Sequence, residues 1–66
     1  MMNERVWYGV ELTVDNAEVF KYYLRENGIK YEPSSCYNLI HFEAYMTNEE
    51  RKAANNFLQE MVNNAL

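Results

Sequence analysis

Residues 6–14, Val-Trp-Tyr-Gly-Val-Glu-Leu-Thr-Val, alternate as a half-buried strand does. Val6, Tyr8, Val10, Leu12 and Val14 share one face, and Trp7, Gly9, Glu11 and Thr13 share the other. The chain's one tryptophan therefore falls on the polar side of its own strand. Next, Asp15 and Glu18 have the spacing of a capping box, which predicts a helix over residues 16–27. Ala17, Phe20, Tyr23 and Leu24 form its apolar stripe, with Val19 beside it, and Asn27-Gly28 is the stop.

Residues 29–32 are a short strand candidate, with Ile29 and Tyr31 on one side. Pro33-Ser34-Ser35 is expected to end it as a turn, and the proline implies an edge strand. Residues 36–45 form the longest strand. Asn38, Ile40, Phe42 and Ala44 lie on one face, and Tyr37, Leu39, His41, Glu43 and Tyr45 on the other. Thr47 and Glu50 make a second capping box. The helix it opens carries Ala54, Phe57, Leu58, Met61 and Ala65 on one stripe, with Val62 adjoining.

The order β-α-β-β-α predicts an α+β fold, a two-layer sandwich with both helices on one face of a three-stranded antiparallel or mixed sheet. The third strand, apolar on both sides, belongs in the centre. The plan resembles the split β-α-β of ferredoxin-like folds without the fourth strand, a likeness of architecture that carries no function. Residues 1–66 make one small domain, and the start at Met1 fits a complete small gene product.

That architecture leaves one sheet face without helices. Trp7, Tyr37, Leu39, His41 and Tyr45 fall on it and form the candidate interaction face, joined by Arg5, Glu11, Thr13, Glu43, Lys30 and Glu32. Exposed aromatic patches commonly mark contact sites, and Trp and Tyr are enriched at interface hot spots. The plain alternative is a wet sheet face whose aromatics pair across strands. A bulge at Gly9 would instead turn Trp7 inward.

Composition narrows the function classes. A hydrophobic fraction of 48% excludes a disordered chain. A net charge of −4, with six scattered basic residues, argues against a nucleic-acid partner. No apolar run is long enough to span a bilayer, and none near the start resembles a signal peptide. One cysteine and one histidine make neither a disulfide nor a zinc site. A lone thiol without an export signal points to the cytoplasm. Cys36 has no base beside it and is expected as a semi-buried structural thiol. His41 and Glu43 share a face as a possible acid–base pair, but no pocket or cofactor motif accompanies them, so no enzyme, cofactor or metal is expected.

A chain of this size buries only about 60% of its unfolded surface and gains from a partner. The first expectation is a cytoplasmic protein-interaction or regulatory protein acting through the open face, as a homodimer or with another protein, without direct nucleic-acid or membrane contact. The alternatives are an acidic inhibitor of a nucleic-acid-binding protein, of a phage or mobile-element type, and a small-molecule binding module with its pocket at an oligomer boundary.

Overall fold

The computed structural model describes residues 4–64. Ala65 of the expected helical stripe, and Met1, lie outside the described residues. The elements are β1 (Val6–Thr13), α1 (Val14–Glu26), β2 (Lys30–Cys36), β3 (Leu39–Met46) and α2 (Asn48–Asn64). The sheet runs β1-β3-β2, with β3 antiparallel to both neighbours. The α+β class, the element order and the central third strand are as the pattern predicts, and the sheet is antiparallel throughout.

β1 and β3 pair without interruption from Val6 opposite Met46 to Thr13 opposite Leu39. No residue is inserted at Gly9, so there is no bulge and Trp7 keeps the face its alternation assigns. The strand ends one residue early. Thr13, not Asp15, caps α1: its hydroxyl accepts from the Asn16 N–H at 3.4 Å. Val14 is thereby the first helical residue and half-exposed, while Asp15 lies in the first turn, where its charge suits the helix dipole.

The end of α1 is a Schellman motif. Gly28, at φ +66°, donates to the Arg25 carbonyl, and Ile29 donates to that of Leu24 at 2.9 Å. The backbone bond brings the Ile29 and Leu24 side chains into the core. Ile29 belongs to this cap and not to the strand that follows. At α2 the capping box is complete. Glu50 N–H donates to the Thr47 hydroxyl at 3.1 Å, and Thr47 N–H donates to the Glu50 carboxylate at 2.9 Å.

The turn expected at Pro33-Ser34-Ser35 does not form. Pro33 sits inside β2, opposite Phe42, and the strand continues to Cys36. An edge strand leaves alternate N–H groups outside the ladder, so a proline is accommodated there. The chain reverses instead at Tyr37-Asn38, a two-residue loop between the Cys36–Leu39 pair, with Tyr37 at φ +57°. Tyr37 and Asn38 are therefore loop residues, not part of β3.

The core lies between the sheet and the two helices. Phe20 and Leu24 of α1 and Phe42 of β3 are almost fully buried. Phe20 meets Phe42 edge-on, with ring centres 5.6 Å apart, and Tyr23 stacks on Phe57 at 4.4 Å, joining α1 to α2. Ala17, Ala44 and Ala54 are buried where elements approach closely, and Met46 closes one end. Val10, Leu12, Ile40, Phe57 and Leu58 pack against this cluster half-buried, Met61 is half-buried, and Val62 is exposed. Truncating Phe42 to Ala should cost about 3–5 kcal/mol. Stability of about 0.05–0.15 kcal/mol per residue leaves little beyond that in 66 residues. Urea unfolding followed by circular dichroism should find the variant largely unfolded; a folded Phe42→Ala protein would show that β3 does not carry the core.

Candidate functional site: the open sheet face

Pairing across β1, β3 and β2 arranges the uncovered face in four rows. The first holds Trp7, Tyr45 and Lys30; the second Gly9, Glu43 and Glu32; the third Glu11, His41 and Ser34; the fourth Thr13, Leu39 and Cys36. Four of the five expected interface residues, Trp7, Leu39, His41 and Tyr45, thus share this face. Tyr37 does not: it sits in the hairpin loop with its side chain wholly in solvent.

Trp7 and Tyr45 stack across the strands with ring centres 5.0 Å apart and planes tilted by 40°. They remain 45% and 37% exposed, so the stack satisfies their cross-strand contact and still leaves part of each ring in water. Leu39 is exposed at the far end, three rows from Tyr45. The apolar surface is therefore one aromatic pair and a separate leucine, with charged groups between them.

Those groups centre on His41. Its Nε2 lies 2.7 Å from a Glu43 carboxylate oxygen, and its Nδ1 lies 3.6 Å from Glu11. Gly9 makes the arrangement possible. A Cβ there would stand 3.1 Å from His41 Cε1 and 3.3 Å from the Glu43 oxygen, inside normal contact. On the other side Glu32 lies directly opposite Glu43, a like-charge pair that destabilises a sheet. The hydrogen bond to Glu43 holds the imidazole pKa above its ordinary value; partial burial opposes this, and the charges of Glu43 and Glu11 add to the rise. A protonated His41 offsets the carboxylates around it.

Cys36 is an exposed free thiol at the end of β2, not the semi-buried residue expected. The strand runs on past Pro33 and carries Cys36 out to the sheet corner. Lys30, Glu32, Ser34 and Cys36 share the face because β2 is seven residues long. The signal for that length was Asn38, a residue type that favours turns, six positions beyond Glu32. Among the described residues, no cluster of three or more His, Cys, Asp or Glu side chains is arranged to hold a metal ion. No helix among them is long and apolar enough to cross a membrane.

The chain matches no family model, no curated protein and no solved structure.

Protonation of His41 should be visible in solution. Because the folded pKa lies above the unfolded value of about 6.5, the stabilisation is complete below that value and is lost as pH rises through the folded pKa. An NMR titration of the imidazole should give a midpoint above the ordinary one, and Glu43→Gln should lower it. An unshifted midpoint in the native protein would mean that the His41–Glu43 contact does not form.

Proposed function

We propose that this chain is a small protein-interaction protein that works in the cytoplasm as a homodimer and binds a second protein through the open face of its sheet. The observation that carries this reading is the Trp7–Tyr45 stack, half-exposed on a face that no element among the described residues covers. Trp and Tyr supply large rigid contact area at low entropic cost, and they dominate interface hot spots.

The charges define the partner's chemistry. Glu11, Glu32 and Glu43 crowd the rows next to the aromatic pair, against one lysine and one histidine. A complementary surface presents Lys or Arg beside an apolar anchor, so that the anchor packs on Trp7 and Tyr45 while the cations meet the carboxylates. Such complementarity fixes register and speeds encounter, and it weakens as salt screens it.

The test is photo-crosslinking from position 45 in cells of the native host, followed by affinity measurement on the captured protein with native and Trp7→Ser chains. Trp7→Ser should keep the fold. Loss of a hot spot contributing at least about 2 kcal/mol should weaken binding by roughly thirtyfold. A surface residue of no consequence would change it by less than about 0.5 kcal/mol. An unfolded Trp7→Ser chain, or a captured partner bound with unchanged affinity, would contradict the reading.

A further inference from the structure

The two edges of the sheet are built differently. The β2 edge carries Pro33 in mid-strand and begins with Lys30, both devices that stop another strand from adding. The β1 edge has neither. It is eight residues long, contains no proline, lysine or bulge, and pairs with nothing but β3 among the described residues. In an antiparallel strand successive residues direct their N–H and C=O groups to alternate sides. Half of the β1 backbone groups therefore face outward, unpaired and ready to extend a ladder.

The side chains on the helix-covered face of β1 show the same incompleteness. On β3, Phe42, Ala44 and Met46 are each 2% exposed, but Val6 of β1 is 43% exposed, and Tyr8, Val10 and Leu12 are only half-buried. A hollow bounded by Arg51, Ala54, Asn55 and Leu58 of α2 lies over Tyr8 and Val10. The covering layer thins out just where the edge is unguarded.

We infer that this edge is the dimer contact: β1 of a second copy pairs antiparallel with β1, making one six-stranded sheet with all four helices on one side. The inference deepens the homodimer reading and does not depend on what the open face binds. The strand's polarity suits a two-fold pairing. Its even-numbered positions, Val6, Tyr8, Val10 and Leu12, are all apolar and face the helix layer, and Glu11 is its one charged residue. Two registers keep the sheets flush. With Gly9 opposite Gly9, Tyr8 meets Val10 of the other copy and Trp7 meets Glu11. With Val10 opposite Val10, Tyr8 meets Leu12 and Gly9 meets Glu11. In both, apolar residues meet on the covered face and Glu11 never meets its counterpart.

Stacking two open faces instead would bring Glu11, Glu32 and Glu43 of both copies together. Like charges across an interface are costly, which is why the second copy is assigned to the edge and a cationic partner to the face. Edge pairing also joins two open faces into one surface with two Trp7–Tyr45 pairs, so a partner with two matching sites gains from avidity.

The test uses the full chain. Sedimentation equilibrium from about 1 µM to about 1 mM should show a monomer–dimer equilibrium. Isotope-filtered NMR on mixed labelled and unlabelled protein should find intermolecular contacts within residues 6–13. Two synthetic chains, N-methylated at Gly9 or at Val10, complete it. Consecutive N–H groups point to opposite sides, so one of the two variants blocks only the outer edge. It should retain the monomer's circular dichroism and raise the dimer dissociation constant by at least about tenfold. Trp7→Ser should leave the dimer in place, which separates this contact from partner binding. A monomer at every concentration, or intermolecular contacts between Trp7 and Tyr45 faces, would overturn the inference. So would a folded edge-blocked variant that still dimerises normally. Should neither methylated chain fold, the intermolecular contacts of the native protein decide.

Discussion

Phe42 meets Phe20 where the middle of the central strand passes beneath α1, and both rings are almost wholly removed from water. Every other feature of the molecule follows from what this contact occupies. Two helices in a chain of 66 residues can cover one face of a three-stranded sheet and no more. Phe20, Leu24, Phe57 and Ala54 are used up against Phe42, Ala44 and Met46. Among the described residues, nothing covers the face carrying Trp7, His41 and Tyr45, and the helix-facing row of β1 is covered only in part.

The residues on the bare face fit that exposure. Aromatics sit at one corner, where they stack on each other, and charges fill the two middle rows. His41 bridges Glu11 and Glu43 over a glycine that leaves room for its ring. A cross-strand aromatic pair is at home on a solvated sheet face, and a buried face does not admit Glu32 opposite Glu43. It is this mixture on which the proposal of an oppositely charged partner rests.

Much of this was legible from periodicity alone. Alternation in β1 and β3 fixed the side on which Trp7, His41 and Tyr45 lie, because a strand's faces follow strict parity and no bulge intervenes. The Thr47–Glu50 capping box was readable for the same local reason. The misreadings concern places where tertiary context overrides a local rule. Thr13 and Asp15 can each cap a helix, and only the end of the β1–β3 pairing decides between them. Pro33 breaks most strands but not an edge strand, so β2 runs four residues further past Glu32 than the local pattern suggests. That error displaced Tyr37 onto the face and hid Cys36 at its corner. The proximity of Gly9 to His41 depends on cross-strand register, which sequence spacing does not contain.

One-sided coverage is the claim on which the functional reading stands, and hydroxyl-radical footprinting of the dilute native monomer measures it directly. Trp7 and Tyr45 should be oxidised, more slowly than the fully exposed Tyr37 but far faster than Phe20 and Phe42, which stay protected. Protection of Trp7 equal to that of Phe42 in a folded monomer would mean that the face is covered after all, and would contradict the account.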